Sequence, residues 1–319
     1  MNTLNEYKLL TPLQNKNAGF SRWAYAARFG EEYFIKEFMN PVYPDEESLS
    51  ETLRNSKIKS CEYFEAKKLN LYKRINDVSD GNLVRVFEFF RCDSHYYIAM
   101  PKIQSEKITF AEIAKLPLED KVLLCRTAAR SIFAMHSAKI VHSDIKDTNV
   151  LIHRTKKGKL VAKIVDYDCS FFEYDPPKNE NDLGGDQIYL SPEACLFFCG
   201  DETKLTCKMD IFSLGLLFHQ YLTGELPLFN HDEYDYAHEA VLEGEKLKVS
   251  KDIPDRLRNM LQYMLKVNPD ERIDIQSVFN ILGTYLPNSD FSPFTPPVNN
   301  NPVGQKKAPE SFFHQAGNL

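Results

Sequence analysis

An α+β fold of two unequal lobes, a small β-rich one followed by a larger helical one, is what this sequence predicts. Short β-type runs dominate up to about residue 100, and a single Lys-, Glu-, Leu- and Ala-rich segment interrupts them. Beyond Met100 the apolar residues recur at helical spacing. At 319 residues and 43% hydrophobic content, the chain has enough material for one large domain or two lobes with a sizeable core.

The predicted strands run from Arg22 to Phe29, Tyr33 to Phe38, Leu83 to Phe90 and Tyr96 to Met100, with turn signals such as Phe29-Gly30-Glu31 between them. The helix that interrupts them spans Ser56 to Ile75, with Phe64, Leu69 and Leu71 among its apolar positions. Further helices are predicted over Asp120 to Ser137, Lys208 to Thr223, Pro254 to Val267 and Ile275 to Tyr285. The densest basic run, H-R-T-K-K-G-K from His153 to Lys159, has Lys-Gly in turn position between two apolar strands and reads as a solvated hairpin tip. Residues 288–319 are Pro- and Asn-rich, and T-P-P-V-N-N-N-P-V-G-Q-K-K-A-P-E offers nothing to bury, so a disordered tail is expected.

A net charge of -6 argues against the broad positive field that nucleic acid or an anionic membrane requires, so neither partner is expected. The seven cysteines are odd in number and follow no repeated spacing, as in reduced cytosolic proteins. Cys195, Cys199 and Cys207 cluster, yet no CxxC pair or neighbouring histidine completes a zinc set. M-N-T-L-N-E-Y-K lacks a signal-peptide core, and no apolar run approaches the ~20 residues of a membrane span. A soluble, cytoplasmic protein is expected.

The densest chemistry lies in I-V-H-S-D-I-K-D-T-N-V-L-I, Ile140 to Ile152, where His142, Asp144, Lys146 and Asn149 share one loop between a helix and a strand. The stretch resembles the catalytic loop of protein kinases, H-R-D-L-K-x-x-N. In that chemistry a carboxylate orients or accepts the proton of the substrate hydroxyl. A lysine offsets charge on the moving phosphoryl group, and an amide five residues after the carboxylate holds a metal beside the phosphates.

The remaining elements of that family follow in order. Tyr33-Phe34-Ile35-Lys36 resembles the V-A-I-K strand, and Glu65 in F-E-A-K-K-L stands where the helix glutamate that pairs this lysine is expected, with Glu62 as a substitute. Asp166, 17 residues beyond Asn149, takes the place of the magnesium-binding aspartate of D-F-G. Gly185 to Glu193, G-D-Q-I-Y-L-S-P-E, resembles the G-T-x-x-Y-x-A-P-E segment, and Asp210 to Gly215 the D-x-W-S-L-G element. Leu222 to Pro227 matches L-T-G-x-x-P, and Arg272 is placed to pair with Glu193. Over about residues 7 to 286 the chain is similar to eukaryotic-type protein kinases. The resemblance implies the bilobal kinase fold, with a small lobe over residues 1–100 and a large lobe over 101–287.

By the same resemblance, ATP and Mg2+ are the cofactors and protein hydroxyls the substrate, with the oligomeric state left open. Asp144 is the base, Lys146 the electrostatic stabiliser, Lys36 with Glu65 the phosphate anchor, and Asn149 with Asp166 the metal ligands. Met100 stands as gatekeeper, Pro101 to Ile103 as the hinge beside adenine, and Leu151 as its floor. Lys146 is the Ser/Thr-type choice. Two other readings stay open: a folded binding module without transfer, and a small-molecule kinase of the aminoglycoside or choline type.

The departures from the family are specific. Between Leu13 and Trp23, where the phosphate-covering loop is expected, K-N-A-G-F-S-R-W keeps only Gly19. Ser143 replaces the arginine that in the family receives an activating phosphate, and no threonine stands between Asp166 and Glu193, while Glu173, Asp175, Glu180 and Asp182 are already acidic. Both features imply activity that is not gated by phosphorylation. Asp186 replaces a threonine that braces the catalytic loop. In Asp166-Tyr167-Asp168 the last residue replaces a glycine, which is expected to restrict the backbone flip there. Two roles are open for its carboxylate: a local acceptor for main-chain N–H groups, or an outer-shell metal ligand.

Overall fold

A computed structural model describes residues 3–16, 21–45 and 50–287. Gly19 and the 288–319 tail therefore lie outside the described residues. The first part holds strands β1 (Thr3–Leu4), β2 (Tyr7–Leu9), β3 (Ser21–Arg28) and β4 (Glu31–Phe38), helix α1 (Glu51–Val78), and strands β5 (Glu88–Cys92) and β6 (His95–Pro101). The strands form one antiparallel sheet in the order β1-β2-β3-β4-β6-β5. Phe29 and Gly30 join β3 to β4, both at positive φ (51° and 83°), the geometry that a two-residue hairpin demands.

Alternation along the strands sorts the two faces of this sheet. Tyr33 and Ile35 of β4 pack with Tyr7, Ala26, Tyr97 and Ala99 in a small outer core. Phe38 of β4 and Tyr96, Ile98 and Met100 of β6 fall on the opposite face, in the main core. Lys36 lies two residues from Phe38 and opposite Ile98 in register, so the pleat aims it at α1 and the helical part.

The larger part contains α2 (Phe110–Ala114), α3 (Leu118–Ser137), β7 (Ile140–Val141), β8 (Val150–Arg154), β9 (Leu160–Ile164) and β10 (Phe171–Phe172). After these come α4 (Pro192–Phe198), α5 (Lys208–Thr223), α6 (Ala237–Leu242), α7 (Asp255–Met264) and α8 (Ile275–Gly283). The central α5 is buried almost all round and stops at Gly224, whose φ of 92° suits a left-handed cap. Gly158, at φ 80°, turns the basic β8–β9 hairpin. Among the described residues no helix is long and apolar enough to cross a membrane.

Several boundaries differ from the sequence reading. The strand expected from Leu83 is regular only over Glu88–Cys92, because Leu83 bridges to Ile164 and the Val84 N–H donates to Ile164 O (3.0 Å) instead of joining the sheet. The α7 helix ends at Met264 rather than Val267, and the next carbonyls, of Lys266 and Val267, accept from Arg272. The α1 helix is longer than expected at both ends. Its buried residues are Cys61, Lys68, Leu71, Tyr72 and Ile75, and Leu69 is exposed.

Candidate functional site

The loop after β7 is held from below by one carboxylate. Asp210, fully buried at the start of α5, accepts from the N–H groups of His142 (2.8 Å) and Ser143 (2.9 Å) and from His136 Nε2 (2.8 Å). This brace fixes Ser143 at φ 72°, in the left-handed region, and turns the chain so that Asp144 heads the loop. Asn149 Nδ2 donates to Asp144 Oδ2 and to its main-chain oxygen, both at 2.8 Å, and Lys146 Nζ lies 2.8 Å from Oδ2. Burial pulls Lys146 down, but the hydrogen bond and charge of Asp144, with the charges of Asp186 and Asp166, together outweigh it and leave its pKa raised. Asp144 Oδ1 is buried with no hydrogen-bond partner. Asp144, Lys146 and Asn149 thus form one cluster whose acceptor oxygen remains open.

Across from this loop, Lys36 Nζ reaches Asp166 Oδ1 (2.8 Å) and Oδ2 (2.7 Å) and Asp168 Oδ2 (2.8 Å). Burial lowers the pKa of Lys36, but Asp168 and Asp166 overcome it and hold the ammonium above its ordinary range. Burial would raise Asp166, and Lys36 reverses that to a lowered pKa. Tyr167 fills the buried aromatic slot, and its hydroxyl donates to Val84 O (2.7 Å) and Ile164 O (2.9 Å). The positive φ of the triplet falls on Asp166 (65°), not on Asp168.

Two expectations are corrected here. The Lys36–Glu65 pair is not formed: Glu65 accepts from the Tyr96 hydroxyl (2.6 Å), and Glu62 is exposed. At 3.6 residues per turn, the stripe through Cys61, Leu71 and Ile75 passes through position 68 and leaves 65 on its flank. That position carries Lys68, which the sequence reading passed over and which stepping back one heptad from Ile75 would have found. Lys68 Nζ donates to Asp168 O (2.8 Å). The second correction concerns Asp168, whose carboxylate pairs with Lys36 instead of accepting from nearby main-chain N–H groups.

Met100 closes the inner face of β6 with 4% exposure, and Pro101 is exposed at the strand end. The Lys102 N–H donates to Glu32 O (3.1 Å), so that hinge amide is used within the sheet. Ile103 and Leu151 are half-buried, and Ile103 packs on the main core. The oxygen donors suit a hard divalent cation: Asp166 offers a carboxylate, and Asn149, whose Nδ2 is committed to Asp144, retains its Oδ1. Among the described residues no three His, Cys, Asp or Glu side chains form a cage. Magnesium does not require one, since it takes one or two protein ligands and leaves the rest to phosphates and water.

The segment between the triplet and α4 is tied down by neutral hydroxyls. Ser143 Oγ donates to Gly184 O and Ser170 Oγ to His142 O, both at 3.1 Å, and Glu173 pairs with Lys139 (3.1 Å). Ser170 and Ser191 are buried, the latter capping α4. Asp186 accepts from the Ile188 N–H (3.0 Å). Arg272 and Glu193 meet as a buried bidentate pair at 2.7 and 2.8 Å, as the family resemblance implied.

The sequence profile described as the protein kinase domain matches residues 51–281. The chain is 29% identical over 199 residues to calcium-dependent protein kinase 4 of Plasmodium berghei, covering 60% of this chain and 36% of that protein. It is 26% identical over 200 residues to Aurora kinase A-A of Xenopus laevis, covering 62% and 46% respectively. With serine/threonine-protein kinase STE20 of Candida glabrata it shares 26% identity over 211 residues, 64% of this chain and 22% of that protein. The matched stretch spans under half the length of each of these relatives.

Proposed function

Since the chain belongs to the protein kinase domain family, whose bilobal α+β architecture it has, we propose that it transfers the γ-phosphoryl group of ATP to serine or threonine hydroxyls of proteins, without gating by activation-segment phosphorylation. The observation that carries this reading is the Asp144 cluster: a carboxylate fixed by Asn149 and Lys146, with a buried oxygen still open, across the cleft from Lys36. As the substrate oxygen bonds to the γ-phosphorus, the bond to the β–γ bridging oxygen breaks, ADP leaves, and Asp144 takes the hydroxyl proton. Lys146 offsets charge on the transferring group, and Lys36 meets the phosphates. Asn149 and Asp166 would hold magnesium, which when bound neutralises phosphate charge. Met100, Pro101, Ile103 and Leu151 would line the adenine side.

The serine/threonine preference is supported by Lys146 and by the similarity to the serine/threonine-protein kinase of Candida glabrata. Freedom from phosphorylation gating is supported by the Ser143–Gly184 and Ser170–His142 ties, which need no phosphate. All seven cysteines are free, in keeping with a reducing compartment such as the cytoplasm. The test is phosphatase-treated protein with γ-labelled Mg-ATP and protein acceptors, followed by phosphosite mapping. Immediate label on serine and threonine is expected. ATP binding with no transfer to any acceptor would make the chain a binding module, and a lag ending with autophosphorylation would restore phosphate gating.

A further inference from the structure

A lysine that meets phosphates has a flexible four-carbon stem, and its ammonium is effective only where something fixes it. Three oxygens surround Lys36 Nζ, all from the triplet: two from Asp166 and Oδ2 of Asp168. The α1 helix contributes no carboxylate to it. Glu65 is engaged with Tyr96, and the buried stripe presents Lys68, whose Nζ donates to Asp168 O and lies 5.5, 5.9 and 5.8 Å from the ring centres of Phe38, Phe64 and Tyr72. Two lysines therefore stand against two aspartates. A carboxylate at position 68 would face the carbonyl and carboxylate of Asp168, like against like, whereas Lys68 meets them with the opposite sign.

Resting on the ATP-dependent reading above, we infer that Asp168 is the positioning residue for Lys36, and that Lys68 is the strut by which α1 holds Asp168 in place. Asp166 cannot anchor Lys36 alone, because a carboxylate drawn to a cation gives up part of its bond to the ammonium. Asp168 then remains as the partner of Lys36. Its Oδ1 is buried and unpartnered while its Oδ2 pairs with Lys36, so each group depends on the other. The lysine's anchor thus belongs to the segment after β9, and α1 enters only through Lys68.

Two readouts test this. The first is calorimetric affinity for ADP with magnesium chelated, which separates positioning of Lys36 from metal ligation. Asp168→Asn is expected to weaken it roughly 10- to 100-fold, the range found when a group that orients a metal-ligating side chain is removed. Lys68→Glu is also expected to weaken it. Lys68→Glu combined with Asp168→Gly should bind better than either single variant, because the helix then supplies the carboxylate. An equal loss in Glu65→Gln, a loss in Asp168→Asn seen only with magnesium present, or a double variant no better than the worse single one would each overturn the inference. The second readout is urea unfolding without nucleotide for Lys36→Met, Asp168→Asn and both together. Non-additive effects are expected, and strict additivity would refute the pair. A chain that bound no adenine nucleotide would sink the reading of function, and the unfolding cycle would still judge Lys36 and Asp168.

Discussion

Glu193 and Arg272 meet fork to fork with their side chains 3% and 0% exposed, whereas Lys36 lies among two carboxylates that are 31% and 23% exposed. Every one of the five N–H donors of Arg272 is used, two on Glu193 and the others on the carbonyls of Lys208, Lys266 and Val267. The helical-lobe pair leaves no guanidinium proton unanswered and engages both carboxylate oxygens, and so has one arrangement. At the cleft, Asp144 Oδ1 and Asp168 Oδ1 are buried without hydrogen-bond partners, and Asp166 spends both oxygens on a lysine that phosphates would also claim. A completed pair locks the scaffold, and an incomplete one can rearrange around a ligand.

The contrast breaks first at the scaffold. Arg272→Ala leaves Glu193 buried and uncompensated and is expected to cost about 3–5 kcal/mol in denaturant unfolding. A change within ~0.5 kcal/mol would mean that the pair is not closed. At the cleft the opposite outcome is expected: Asp144→Asn should lower kcat by about 10²–10⁴ while leaving the melting temperature near that of the parent. Wild-type-like transfer by this variant would remove Asp144 from the chemistry.

Asp210 links the two regions, because it is scaffold by burial and site by contact. Asp210→Ala orphans the N–H groups of His142 and Ser143 and should cost about 1–3 kcal/mol for each, with kcat falling alongside stability. A loss of stability with unchanged kcat would separate brace from site.

The scaffold should also show a pH dependence. Burial lowers the pKa of His219, whose Nε2 accepts from the Ser250 N–H (3.1 Å) while Nδ1 bonds Glu225 O (2.7 Å). Burial lowers His238 as well. The unfolded chain therefore takes up these protons first. Their contribution is full above the unfolded histidine pKa of about 6.5 and is lost as pH falls through it toward the lower folded value. Unfolding free energy measured from pH 7.5 to 5 should decline, and His219→Gln should flatten the slope. The smallest effect is expected at Ser143→Ala, which removes one neutral bond to Gly184 O worth about 0.5–1.5 kcal/mol and should leave the activity of phosphatase-treated protein largely intact.

Spacing along the chain was enough to predict α5 over Lys208–Thr223, the β8–β9 hairpin and the Asp144–Lys146–Asn149 loop, whereas the Glu193–Arg272 pair, 79 residues apart, was implied only by the family resemblance. The first three depend on periodicity, a turn glycine or a short motif whose geometry is largely local. The partners of Lys36 were not legible in that way. Lys68 and Asp168 are separated by 100 residues, Lys36 and Asp166 by 130, and Asp210 reaches His142 across 68. A lysine in a Lys- and Glu-rich helix looks solvated until packing shows that its stripe is the buried one. Heptad spacing from Ile75 puts Lys68 on the inner stripe of α1, but only the stacking of β4, α1 and the segment after β9 decides that it meets Asp168 O and that Asp168 answers Lys36. The physical reason is that a helix face or the pleat of a strand can be read from one chain segment, whereas charge pairing in a cleft depends on how three remote segments are brought within hydrogen-bonding distance.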